Sequence, residues 1–336
     1  MELSEAHGFP LHGIVHVPEN GAPGSDTFAR WLDAGYEGPL DYMRQSRDVR
    51  VNLRSRIPWA RSILALGAFH DAAPRGQPGR DLAAHVARYA RGRDYHRILE
   101  KRLMNLALAL RKAGVCSSTR WFVDTGPLLE RAWAEAAGLG WIGKNGCVIH
   151  PKLGSYLMLA EIVMDSEPEA DPPAAPHCGT CRRCLDACPT RAFVAPGVLD
   201  ASRCIVTWNI EQRNLAPETT WAEQGEWVAG CDICQAVCPF NAPRRSALPD
   251  ADFAAPLPWQ TMTLAECIAM DAATFDRAFP TSALRRTGLK GMRLGAITVA
   301  ANIKAEACRE AIEQCRHDPD PDVRARAEWA LVKFTE

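Results

Sequence analysis

The stretch CGTCRRCLDACPT, Cys178 to Thr190, places four cysteines in the pattern C-x2-C-x2-C-x3-C and closes it with Pro189. A second stretch, GCDICQAVCPFN, Gly230 to Asn241, carries Cys231, Cys234 and Cys238 before Pro239, and Cys204 stands alone between the two runs. Eight of the thirteen cysteines therefore fall between Cys178 and Cys238. Clustered cysteines in an intracellular chain of this size are more often metal ligands or catalytic groups than disulfides.

The spacing is the one by which ferredoxins hold iron–sulfur clusters. A cubane needs thiolates at several corners, and loops of two intervening residues aim successive sulfurs at adjacent irons. The fourth cysteine of the run, one residue further on, starts a helix and serves the other cluster. Cys178, Cys181, Cys184 and Cys238 are thus expected to hold one [4Fe-4S] cluster, and Cys188, Cys204, Cys231 and Cys234 the second. Zinc is the weaker alternative, since a zinc site needs four ligands and no C-x2-C-x2-C triplet. Cys116, Cys147, Cys267, Cys308 and Cys315 lie outside the pattern and receive no role.

At 336 residues the chain is long enough for about two or three domains. No apolar run approaches the roughly 20 residues a membrane helix needs. The opening MELSEAHGFPLHGIVHVPEN lacks a basic start, a continuous apolar core and a twin-arginine motif, so a cytoplasmic protein is expected. The net charge of −1 hides basic stretches at Arg44 to Arg61, Arg88 to Arg102 and Arg285 to Arg293. Each is a solvated face first and a phosphate-binding patch second.

Up to about Ser166 the pattern is mixed α/β. Ser62 to Phe69, Arg120 to Asp124 and Ser155 to Asp165 read as strands, and Asp81 to Arg91 and Arg97 to Ala113 as helices. Gly114 stops the latter. Pro127 opens a further helix, PLLERAWAEAA, that Gly138 ends in a left-handed conformation. GLGWIG, Gly138 to Gly143, has the letters of a dinucleotide fingerprint but follows a helix instead of opening one, so its glycines are expected to shape a loop that a flat ligand approaches. The Pro-rich DSEPEADPPAAPH, Asp165 to His177, and PRRSALPDADFAAPLP, Pro243 to Pro258, give boundaries near 170 and 245. Beyond the second, short helices with small residues on their apolar faces suggest stacked repeats.

VDTGPLLERAWAEAAGLGWIGKNG, the two cysteine runs and the intervening CIVTWNIEQR together resemble the epoxyqueuosine reductase family, as do RSRIPWARSILALGAFH, YARGRDYH and ALRRTGLKGMRLGAITVAANI. The resemblance covers most of the chain. It implies an α+β multidomain protein with a nitroreductase-like α/β cobalamin domain over 1–170, a ferredoxin-like two-cluster domain over 171–245 and C-terminal α-helical, HEAT-like repeats over 246–336. The chain departs from the family at Thr207, Trp208 and Asn209, and at RLGAIT in the repeat region.

The same resemblance implies cobalamin as a cofactor and Asp124 as the proton donor. Arg47, His96, Asp124, Val148, Ile149, Leu159, Ile205 and Asp232 are the implied cobalamin contacts. An isolated reading of Asp124 would make it a helix cap ahead of Gly126 and Pro127. The implied reaction is the reduction of epoxyqueuosine to queuosine in a tRNA anticodon loop, with electrons passing through the clusters to cobalamin. Gln212, Arg213, Arg285, Arg286 and Lys290 are expected tRNA contacts, a flavodoxin or ferredoxin the low-potential donor, and a monomer the working form. A corrinoid reductive dehalogenase and a non-catalytic ferredoxin-like carrier are the competing readings.

Overall fold

The computed structural model describes residues 2–70, 76–242, 250–254 and 257–336. They form two compact units, neither continuous in sequence. The first comprises Met1–His70, Tyr95–Ala201 and Ile233–Asp250, and the second Asp71–Asp94, Ser202–Asp232 and Ala251–Glu336.

The first unit is built on the apolar run SILALGAF, which forms strand β2, Ser62–Phe69. All eight of its residues are buried, which demands cover on both faces. It pairs antiparallel with β1, Leu11–His16, and with β6, Leu157–Met164; β6 in turn pairs with β3, Thr119–Phe122, giving the order β1-β2-β6-β3. Helix Tyr95–Lys112 packs against β3 and β6 on the face of Thr119, whose hydroxyl accepts from Arg111 at 2.7 Å. Helix Glu130–Ala136 covers the other face, where Trp133 and Ala134 meet Ile63, Ala65 and Val163. Two short ladders complete the unit: β4, Trp141–Ile142, with β5, Val148–Ile149, and β7, Phe193–Ala195, with β8, Val198–Leu199.

The glycine-closed ends of the two helices that cover the sheet follow the sequence reading. After Ala137, Gly138 (φ 79°) and Leu139 donate to the carbonyls of Glu135 and Ala134 at 3.1 and 3.0 Å, and Gly114 (φ 72°) and Val115 close the other helix in the same way. The helix expected from Pro127 instead begins at Glu130, because Arg50 takes the Leu128 carbonyl at 2.8 Å and the preceding residues form a loop. The segment Asp165 to His177 has no helix or strand, as its prolines require, but it is no boundary between compact units. Asp171 exchanges two 2.8 Å hydrogen bonds with the Ile14 backbone and so runs along β1. The boundary expected near 245 lies outside the described residues.

In the second unit, the helix expected over Asp81 to Arg91 is replaced by two 3-10 turns, Leu82–His85 and Arg88–Ala90. Between them Val86 bridges Ala229, and Ala87 donates to the Ala229 carbonyl, so tertiary pairing takes the backbone groups a helix would use. The C-terminal part is helical as expected. Gly288–Asn302 is buried throughout from Leu294 to Ala301 and packs against both Leu264–Ala269 and Pro321–Thr335. A Thr263–Glu266 capping box, and Asp271 and Asp320 caps, start three of these helices. Arg326, 2% exposed, reaches the Asn214 carbonyl at 3.0 Å and lies 3.8 Å over the Trp221 ring.

One glycine tests the packing of the first unit. A Cβ on Gly13 of β1 would sit 1.9 Å from the Ala137 carbonyl oxygen, at the end of the helix that covers the sheet. Although alanine ordinarily stabilises a strand relative to glycine, Gly13→Ala is expected to cost about 1–3 kcal/mol. Chemical denaturation followed by circular dichroism measures it.

Candidate active site and cysteine centre

Strand β3 ends at Phe122, opposite Glu161 of β6, and the chain then turns sharply. Asp124 sits at the centre of this turn with φ 53°, and the Thr125 N–H donates back to the Val123 carbonyl, the three-residue hydrogen bond of a γ-turn. Non-glycine residues held at positive φ are strained and concentrate at functional sites. The Asp124 side chain is 55% exposed. Its Oδ2 accepts from the Tyr95 hydroxyl at 2.8 Å and lies 3.0 Å from His96 Nε2. Tyr95 and His96 open the helix Tyr95–Lys112, their rings stacked 3.9 Å apart, and His96 is buried.

Asp124 is not a helix cap: Leu129 occupies the cap position of the next helix, which has no side-chain cap. Its N–H donates instead to Glu130 Oε1 at 2.6 Å. Behind Glu130 lies Glu161, completely buried on β6. Burial, reinforced by the Asp124 charge, pushes the Glu130 carboxyl up to about 8, and burial holds Glu161 well above the usual carboxylate range. Arg50, buried on the helix Arg47–Val51, acts on Glu130 together with Arg131, and also on Asp124; burial lowers the Arg50 pKa and these acids oppose that. Arg47, the expected contact on the same helix, is half-buried and lies 3.8 Å from Asp33.

The other expected cofactor contacts divide. Val148 and Ile149 are buried in β5, and Val148 joins an apolar cluster with partly exposed Ile142, Leu157 and Leu159 at its edge. Leu159 lies two residues before Glu161, at the same end of the β3–β6 ladder from which Asp124 emerges. In the second unit Ile205 is buried, and Asp232, 1% exposed, accepts the Arg88 N–H at 2.9 Å with the Arg88 and Arg91 guanidinium groups 3.9 and 4.0 Å away. Asn209, a departure from the family pattern, is fully buried and exchanges hydrogen bonds with the Gly230 backbone beside Cys231.

The glycines of GLGWIG serve packing and not an open loop. A Cβ on Gly140 would meet the Ile149 carbonyl at 2.4 Å, and one on Gly143 the Ile149 side chain at 2.4 Å. They bring Trp141 to the cysteines: its indole N–H points at Cys178 Sγ, 3.4 Å away, while Phe240 and His177 pack edge-on at 4.8 and 4.9 Å.

No cysteine is in a disulfide, and all eight of the pattern are half-buried. The thiols of Cys184 and Cys238 both feel Cys178, and Cys238 also feels Cys181, so these four converge within the first unit. Burial raises both thiols, while backbone N–H groups of Leu185, Phe240 and Asn241 favour the thiolate. Cys188 Sγ receives the Ala192 N–H at 3.4 Å. Lys144 braces the first loop through the carbonyls of Gly179 and Cys181 at 2.6 and 2.9 Å. A thiolate quartet with aimed N–H donors fits an iron–sulfur cubane.

The expected nucleic-acid cations are engaged within the protein. Arg285 pairs with Asp276 at 2.7 Å, Arg286 with Asp94 at 3.8 Å, and Lys290 with Asp320 and Asp322. Arg213 adopts φ 53° just after Gln212, at the end of the turn Thr207–Glu211. Sequence reading missed Tyr95, Arg50, Glu130 and Glu161. The signal for the last was present, a lone acid in the apolar run LMLAEIVM.

Residues 177–241 match a family model described as "4Fe-4S double cluster binding domain", and residues 50–125 one described as "Epoxyqueuosine reductase QueG, DUF1730". An epoxyqueuosine reductase of Gloeobacter violaceus is 40% identical over 297 residues, covering 87% of this chain and 92% of its own. One of Xanthomonas campestris pv. campestris is 39% identical over 339 residues, 98% of this chain and 94% of its own. The crystal structure of an epoxyqueuosine reductase with an epoxyqueuosine-modified tRNA-Tyr stem loop superposes with a TM-score of 0.85 at 30% identity, covering 100% of this chain and 89% of that one. The Streptococcus thermophilus enzyme gives 0.84 at 26%, covering 99% and 89%. With relatives this similar over nearly its whole length, the chain belongs to the epoxyqueuosine reductase family.

Proposed function

We propose that Asp124 is the acid in the reduction of epoxyqueuosine to queuosine, the last step of queuosine formation, and that the substrate is presented in a tRNA anticodon loop. The observation that carries this reading is the half-exposed Asp124 carboxyl, held on a strained turn with Tyr95 and His96 fixing its Oδ2. Expelling an alkoxide unaided is costly, and a positioned acid removes that cost by delivering a proton as the carbon–oxygen bond breaks. The relative solved with a modified tRNA stem loop supports the substrate.

The cofactors are two [4Fe-4S] clusters and cobalamin. Cys178, Cys181, Cys184 and Cys238 hold one cluster, and spacing assigns Cys188, Cys204, Cys231 and Cys234 to the other. The apolar edge of Ile142, Leu157, Leu159 and Val148, at the end of the sheet from which Asp124 emerges, fits the flat face of a corrin. When bound, cobalamin supplies the low-potential centre that takes electrons onward to the substrate. Arg47, Ile149, Ile205 and Asp232 are the further cobalamin contacts expected of the family.

The nitroreductase-like, ferredoxin-like and HEAT-like divisions, 1–170, 171–245 and 246–336, describe roles and not compact bodies. The chain works as a cytoplasmic monomer supplied by an external flavodoxin or ferredoxin. Among the described residues no helix is long and apolar enough to cross a membrane. Gln212, Arg213, Arg285, Arg286 and Lys290 are the tRNA-facing cations and polar groups of this reading.

Anaerobically reconstituted protein should convert epoxyqueuosine to queuosine in an anticodon stem-loop, read by mass spectrometry. Asp124→Asn should retain its iron and lose about 10²–10⁴-fold in turnover; full activity removes Asp124 from the reaction. Iron analysis should give about eight irons per chain, falling to about four in Cys184→Ser, and a zinc-loaded protein overturns the cluster assignment. Replacing Arg285 and Arg286 with Gln should lower the salt slope of tRNA binding by up to about two. An unchanged slope places the phosphates elsewhere.

A further inference from the structure

Reducing an epoxide to an alkene breaks both carbon–oxygen bonds, forms the carbon–carbon double bond and releases water, so two electrons are matched by two protons. Asp124 carries one proton at a time. The turn that holds it must therefore survive a cycle in which the acid loses its charge and regains it.

That turn is backed by two carboxyls for which the reaction, as described above, has no use. Glu130 Oε1 accepts the Asp124 N–H at 2.6 Å. Glu161 is 0% exposed, and among the described residues neither of its oxygens has an N–H or hydroxyl donor. The Glu130 carboxyl lies close enough to raise the Glu161 pKa further. Two carboxyl groups bond to each other only when at least one carries a proton. An unprotonated pair would place two charges on a sheet face whose neighbouring positions, Ala65 and Val163, are apolar and buried, which the interior strongly disfavours.

We propose that Glu130 and Glu161 share a proton, and that this protonated pair is the positioning element that holds Asp124 in its left-handed turn. Glu161 keeps the proton and donates it to Glu130, whose other oxygen then holds the Asp124 N–H. The charged groups facing the pair are Asp124 from the turn, Arg131 from the same helix and Arg50 from the helix Arg47–Val51. Arg50 also fixes the Leu128 carbonyl, the other end of the loop. The inference rests on Asp124 as the acid, but the pair is testable independently.

Both carboxyls titrate above their ordinary value, so the folded protein binds more protons than the unfolded chain. The stability from this source is full below about pH 4.5 and is lost as pH rises through about 8. Turnover should fall over the same alkaline range as the Glu130 carboxyl becomes charged behind Asp124.

The test combines infrared spectroscopy of the full-length protein with pH profiles. Wild type at neutral pH should show a protonated-carboxyl C=O stretch that shifts in D2O and is missing from Glu161→Gln. That variant should also show a shallower alkaline fall in both turnover and unfolding midpoint, keeping only the part that Glu130 carries. Glu130→Ala should lower turnover at least tenfold at constant iron content, and Glu130→Gln, whose amide oxygen still accepts the Asp124 N–H, should recover most of it. A carboxyl band or an alkaline profile identical in wild type and Glu161→Gln overturns the proposal. Full turnover in Asp124→Asn instead overturns the acid assignment while leaving the infrared result to decide the pair.

Discussion

The hydrogen bond from the Asp124 N–H to Glu130 is the constraint around which the acid site is arranged. Strand β3 must stop at Phe122, because the next backbone groups turn back on themselves. Gly126 follows because a Cβ there would lie 2.5 Å from the Phe122 ring. Pro127 and Leu128 cannot begin a helix while Arg50 draws the Leu128 carbonyl outward. Only at Glu130 is the chain released into helical geometry, and that residue's side chain reaches back to hold the turn. Strain at Asp124 is thus balanced by contacts from a neighbouring helix and from the first residue of its own.

Much of this was legible locally. The buried strand Ser62–Phe69 and the two glycine-closed helix ends depend on short-range chemistry, and the structure agrees with each; the cysteine spacing falls within the match to the 4Fe-4S double cluster family model. What was illegible depends on contacts remote in sequence. Helical periodicity over Asp81 to Arg91 lost to backbone pairing with Ala229. Arg50 and Arg47 share one short helix, yet one points inward at the acids and the other outward at Asp33. Glu130 reads as an ordinary acid in a first helical turn, favoured by the helix dipole. Nothing in its neighbours announces that Glu161, on a strand, will lie against it.

The basic stretches show how composition misleads. Arg285, Arg286 and Lys290 lie in a sequence with no acid among them, but Asp276, Asp94, Asp320 and Asp322 are brought to them by the fold. Such exposed pairs contribute at most about 1 kcal/mol each. They separate readily when phosphates offer stronger, bidentate partners to arginine. Ion pairing in the free protein is therefore compatible with nucleic-acid contact, and it keeps cations from attracting polyanions at random on a nearly neutral protein.

In the proposed reading, the short helix Glu130–Ala136 joins the chemistry of protons to that of electrons. Its first residue holds Asp124. Its Glu135 accepts the Ile142 N–H at 2.6 Å, and its glycine-closed end directs the chain into Trp141, whose indole N–H points at Cys178. Seven residues of helix span roughly 10 Å, and both ends are fixed by hydrogen bonds, not by loops. Trp133 and Ala134 anchor the middle of this spacer on the sheet. A displacement at either end must therefore move the other or break the packing between them, so the acid and the first cysteine quartet are held at a set separation by the core itself.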